Sequence, residues 1–212
     1  LIQAETIFLV QAILNTILGL SIFYAIENCI FTKQKTKTMF QSIKSIGELN
    51  INLIVFLISL TLISTAAINV SKYLEVYIDD LGYGAKGIGL FVSVTGIVGI
   101  LTNVFIVPIV VKLKNNLTVM VLINLFSALI IVIVFRMNAI MIGLYTVFML
   151  YMVLKTVFAP LETRYISSFA KPDEYGKIMG IRQFFFAIGF VIGPLLGGFL
   201  YSINPLRVFD VS

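Results

Sequence analysis

Histidine and tryptophan are missing from this 212-residue chain, and cysteine occurs once, at Cys29. Without imidazole, neither a Ser-His nor a Cys-His nucleophile pair can be assembled, and no zinc site can draw on histidine ligands. A single thiol closes no internal disulfide. There is no Gly-rich phosphate loop of the Walker type and no cleavable signal with a charged start. No catalytic residues, no metal site and no cofactor are therefore expected. Charge is also scarce: Asp, Glu, Lys and Arg make up 12% of the residues against 59% hydrophobic, with a mean hydropathy of +1.06. A soluble domain carries about twice that share of charge. The composition is that of an integral membrane protein.

What remains is long apolar runs. Six stretches, near 6–27, 51–77, 87–110, 118–135, 139–162 and 178–203, approach the roughly 20 residues that cross a hydrocarbon core of about 30 Å. Backbone polar groups in lipid must be satisfied within the segment, and no barrel-type alternation is present, so the spans are predicted to be helices. The class is all-α and polytopic, with six transmembrane helices. Alternate connections differ in charge. One set holds Lys33, Lys35, Lys37, Lys44, Lys112, Lys114, Arg164, Lys171 and Lys177; the other holds Lys86, Arg136 and Arg207. Nine cations against three puts the first set, and with it the 28–50 linker, on the cytoplasmic side. The formal net charge of +5 is thus a topology signal, and no nucleic-acid partner is expected. Membrane lipid is.

The linker, with Thr-Lys-Gln-Lys-Thr-Lys at 32–37 followed by Phe40, Ile43 and Ile46, reads either as a basic, partly amphipathic segment on the inner membrane surface or as a plain connector. The topology leaves both chain ends outside. The first residue, Leu1, already stands within an apolar stretch. Both features lead us to expect a fragment of a longer protein.

The last span contains Gly180, Gly189, Gly193-Pro194 and Gly197-Gly198. Gly189, Gly193 and Gly197 are four apart and share one helix face, a groove that lets a neighbouring backbone come close. Pro194 removes one ladder hydrogen bond, which predicts a bend or hinge. This spacing resembles the antiporter motif of the major facilitator superfamily, in particular its drug:proton efflux branch. Tyr83-Gly84-Ala85-Lys86-Gly87-Ile88-Gly89-Leu90 and Tyr175-Gly176-Lys177-Ile178-Met179-Gly180 look like the same family, and the resemblance covers most of 51–205. In the family the glycine motif stands in the fifth helix, with a related version in the eleventh. A spanning helix and a basic linker precede the run of five helices here. The 111–117 loop lacks the Gly and Asp-Arg of the first-half signature, and no arginine stands within 139–162. The resemblance therefore implies helices six to eleven: residues 1–27 as the sixth helix, 28–50 as the central cytoplasmic linker, and 51–212 as an incomplete second bundle. It also implies a bacterial plasma-membrane location and, as partners, a small-molecule substrate, a coupling proton and the remaining helices of the same transporter.

Ionisable groups inside a membrane are costly and suggest function. In the fifth span Leu144, Phe148, Tyr151, Lys155, Phe158 and Glu162 fall within about 60° of one direction at roughly 100° per residue. They form either a lumen face with one buried cation or a stripe whose two charges, Lys155 and Glu162, snorkel to the inner interface. On the second span Thr61, Thr65, Asn69, Lys72 and Tyr73 make another stripe, lining a watery cavity or hydrogen-bonding between helices. Glu75 stands close enough to pair with Lys72. Gly89, Ser93, Gly96, Ile100 and Asn103 share a face of the third span. Arg182 begins the last helix on its glycine side, placed to pair with Glu162 across helices as a cytoplasmic gate or to anchor the interface.

The resemblance implies a secondary active transporter effecting proton-coupled efflux of drugs or other small amphipathic molecules by alternating access. Lys155, Asn69 and the aromatic residues would contact substrate, and Glu75 and Glu162 are the only carboxylates placed to carry a proton in this portion. Alternatives are a carrier for a sugar or other metabolite and a truncated, non-transporting fragment. Phe148, Tyr151 and Phe184 to Phe186 tilt toward the drug type. An intramembrane enzyme is disfavoured by the missing histidine.

Overall fold

A computed structural model describes residues 4–25, 49–171 and 174–212; the lysine-rich part of the linker and Cys29 lie outside these. The chain divides into two compact units, residues 1–38 and residues 39–212. In the first, α1 (Ala4–Ala25) is a single apolar helix where the first of six spans was expected, but its described apolar run, Phe8–Tyr24, is shorter than a span, which leaves five among the described residues.

The second unit is a helical bundle made of α2 (Ile51–Asp80), α3 (Gly84–Leu101), a π-helical turn (Thr102–Ile106), α4 (Val107–Val110), α5 (Asn116–Val134), α6 (Ile140–Tyr145), α7 (Val147–Ser167), α8 (Tyr175–Ile203) and α9 (Pro205–Val211). Five helical segments, Ile51–Asp80, Gly84–Val110, Asn116–Val134, Ile140–Ser167 and Tyr175–Ile203, are long and apolar enough to cross a membrane. They run up and down in sequence. One end of the bundle carries Lys112, Lys114, Arg164, Lys171 and Lys177 and is called the basic end below.

Local sequence explains where the helices start and bend. Asn50 caps α2, its side chain accepting from the Asn52 amide at 2.9 Å. Gly82, at φ +83°, makes the left-handed turn from α2 to α3. Pro108 has no N–H to give the ladder, and its ring crowds the carbonyl one turn earlier. The chain answers with the wide turn at Thr102–Ile106, where the Val107 amide reaches back to the Thr102 carbonyl. The buried Thr102 hydroxyl donates to Val98 at 2.7 Å. Pro160 and Pro194 both sit inside continuous helices, so α8 runs unbroken through the residue at which a bend or hinge was predicted.

Apolar residues pack at three levels. At the end opposite the basic one, Ile78, Val134, Leu144, Phe148, Val208 and Phe209 form the largest cluster. Its rim is the short helix α9, where Phe209 stacks on Phe135 at 3.6 Å and Arg136 meets Asp210 at 3.2 Å. Leu53, Leu57, Ile166 and Ile178 close the basic end. Met120, Val157, Phe158 and Leu161 lie between α5 and α7.

Candidate functional site

The tightest feature is the seam between α2 and α8. Gly189, Gly193 and Gly197 are buried along one face of α8, directly over the polar stripe of α2. A Cβ at Gly189 would strike the Ser64 hydroxyl and lie 2.6 Å from the Thr61 carbonyl; at Gly193 it would strike Ile68 and lie 3.1 Å from the Thr65 carbonyl; at Gly197 it would lie 2.5 Å from Asn69 Oδ1. Only glycine permits this approach. At Gly198 the Tyr73 hydroxyl is 3.1 Å away, whereas Gly180 is exposed and faces open space.

Close approach turns side chains of one helix onto the backbone of the other. The Thr61 hydroxyl donates to the Phe185 carbonyl at 3.1 Å, Thr65 approaches that of Gly189 at 3.5 Å, and Tyr73 donates to that of Pro194 at 2.8 Å. Asn69 is 4% exposed, and its Oδ1 has no hydrogen-bond partner. Thr61, Thr65, Asn69 and Tyr73 therefore pack into a helix–helix seam instead of facing a water-filled space, since glycine opposite them leaves no room for one. Lys72, the fifth member of the stripe, is exposed, Glu75 is half-buried, and the two do not form an ion pair. The helical spacing that permits their contact does not enforce it when one side chain turns out and the other in.

Near the basic end, α7 and α8 are joined by charge. Arg182 forks onto Glu162, with Nε–Oε1 at 2.6 Å and Nη2–Oε2 at 3.2 Å. Glu162 is 3% exposed, so the carboxylate has left solvent, and both its oxygens are taken by the guanidinium. The Arg182 guanidinium also stands 5.5 Å from the centre of the Phe186 ring. Arg164, two residues after Glu162, points the other way and donates to the Val111 carbonyl at the end of α4.

Along α6 and α7, Leu144, Phe148, Tyr151, Phe158 and Glu162 of the predicted stripe are all buried, and Lys155 is half-buried. Phe148 bridges Tyr151 at 5.0 Å and Phe91 of α3 at 5.7 Å, ring centre to ring centre. The span runs from Ile140 to Ser167, beyond the end expected at 162. At about 1.5 Å per residue, Lys155 thus stands roughly 18 Å of helix from one end and roughly 22 Å from the other. Glu162, on the same side of the helix, is seven residues or about 10 Å of helix away.

The glycine seam, the fork of charges and the alternating apolar spans coincide with a family match: the Major Facilitator Superfamily model aligns with residues 53–209. The chain belongs to the Major Facilitator Superfamily. Comparison with curated proteins and with solved structures gave no match. Members of the Major Facilitator Superfamily are multi-pass membrane transporters that bind small molecules, not enzymes. The structure thus brings Glu162 and Arg182 together, and Asn69 with Gly193 and Gly197, while Lys72, Glu75 and Gly180 stand apart from both groups. The Arg164–Val111 contact and the π-helical turn went unread in the sequence; Pro108 was the only signal for the turn.

Proposed function

We propose that this chain supplies helices six to eleven of a secondary active transporter that exports drugs or other small amphipathic molecules in exchange for protons. Residues 1–27 are the sixth helix, 28–50 a basic linker on the cytoplasmic side, and 51–212 most of the second bundle in a bacterial plasma membrane. The observation that carries this reading is Lys155, a half-buried ammonium near the middle of a span, one turn from Tyr151 on the helix that also bears the Glu162–Arg182 fork. A charge at that depth serves a path through the membrane.

Alternating access requires bodies that move as units. The α2–α8 seam, closed to any side chain larger than hydrogen, holds two helices as one body while the inner fork opens and closes. With Glu162 engaged by Arg182, Glu75 is the carboxylate of this portion left to carry a proton. The test uses the complete transporter in sealed vesicles with an imposed proton gradient. Amphipathic dye should move against its gradient, stop when a protonophore is added, and slow at least tenfold in Glu75→Gln. Dye movement indifferent to the protonophore removes proton coupling. Unaltered coupling in Glu75→Gln assigns the proton to a residue outside this portion.

A further inference from the structure

Charge placement within the spans points to the cargo. Lys155 is the only formal charge in the middle third of any of the five spans among the described residues. Among the described residues, the carboxylates that could neutralise it are elsewhere. Glu162, on the same face of α7, has both oxygens committed to Arg182. Glu75, Asp79, Asp80 and Asp210 lie toward the end opposite the basic one, Asp80 accepting from the Tyr201 hydroxyl at 2.5 Å and Asp210 paired with Arg136. Glu174 precedes α8 at the basic end.

One turn before Lys155, the Tyr151 ring is 7% exposed and packed on Phe148. A phenol O–H and an ammonium at i and i+4 are two donors on one side of a helix. A cation approaching this face meets like charge with no acceptor carboxylate beside it among the described residues, and a neutral amphiphile leaves the ammonium without a counter-charge from them. An amphipathic anion removes both difficulties.

From this we infer that the cargo is an amphipathic organic anion, its carboxylate held by Lys155 and Tyr151 and its apolar body laid along α7. The inference rests on the transporter reading above and specifies its substrate class.

The complete transporter, reconstituted in phosphatidylcholine vesicles so that no anionic lipid competes for the ammonium, is offered three dyes: carboxyfluorescein (anionic), ethidium (cationic) and N-phenyl-1-naphthylamine (neutral). The native protein should move carboxyfluorescein in preference to the other two. Lys155→Gln should raise the carboxyfluorescein KM on the order of a hundredfold, the loss of a desolvated charge pair, while Lys155→Arg stays within about tenfold of the native value. Lys155→Glu should bring ethidium into the transported set. If the native protein moves ethidium or the neutral dye in preference, or if Lys155→Gln leaves carboxyfluorescein transport unchanged, the anion inference is overturned and the transporter reading stands. If folded native protein moves none of the three, the transporter reading falls and the inference with it. The dye preference of the native protein decides the matter even where a variant does not fold.

Discussion

Gly189, Gly193 and Gly197 of α8 and Gly89, Gly96 and Gly99 of α3 are chemically identical, yet their surroundings are opposite. On α8 a Cβ would meet side chains or backbone of α2 at every position of the face; on α3 it would meet nothing within 4 Å at any of the three. The α3 face, including Ser93, Ile100 and Asn103, is exposed. A glycine stripe thus records where a neighbour can come close. Whether one does depends on the shape and polarity of what lies opposite: α2 offers Ser64, Thr65 and Asn69, small polar side chains that fit the groove, while Thr61, Thr65 and Tyr73 reach across to the backbone of α8.

Four substitutions sharpen that contrast. Gly193→Val places branched methyls where a single Cβ already collides with Ile68; we expect more than about 3 kcal/mol of destabilisation and loss of most folded protein in detergent, read by size exclusion. A well-folded Gly193→Val transporter would show that α2 can step back and that the seam is not a fixed unit. Gly189→Ala presses on the Thr61 carbonyl at 2.6 Å, and the apparent Tm followed by circular dichroism should fall by an amount equivalent to about 1–3 kcal/mol. Tyr73→Phe removes the bond to the Pro194 carbonyl and keeps the ring, for a loss of about 1 kcal/mol in the same measurement. Gly96→Ala on α3 should have the opposite sign, raising the Tm slightly by about 0.5–1 kcal/mol of helix propensity. Equal losses at Gly96 and Gly189 would erase the distinction between the two faces.

The existence and order of the helices were legible from apolar run length, because lipid tolerates no other element of that size. Their ends were less so. Glu162-Thr163-Arg164 looks like an exit from the membrane, but α7 continues to Ser167, since a helix does not need lipid to persist once its polar residues find partners. The Glu162–Arg182 pairing was among the expectations because opposite charges in the same half of adjacent spans have few other places to go. The pairing of Lys72 with Glu75 failed on the same logic inverted, near a span end where water competes for both. The polar stripe of α2 was open to two accounts from sequence, and only the position of α8 decided between them. Nor does a periodicity reveal that Thr146 separates α6 from α7, with φ −119° and ψ −78°.

The bonds from Thr61 to Phe185 and from Thr65 to Gly189 each connect residues 124 apart in the chain. The first and last long helices of the bundle are therefore the ones held most closely, and during synthesis α2 must wait in the bilayer, its hydroxyls bonded only to their own helix, until α8 arrives. Three spans are inserted in the interval. Ser, Thr and Asn in a waiting helix seek whatever donors and acceptors pass, so this ordering makes mispairing of α2 the foreseeable error of assembly, and the glycines of α8 act as the late-arriving key that only one register of α2 accepts.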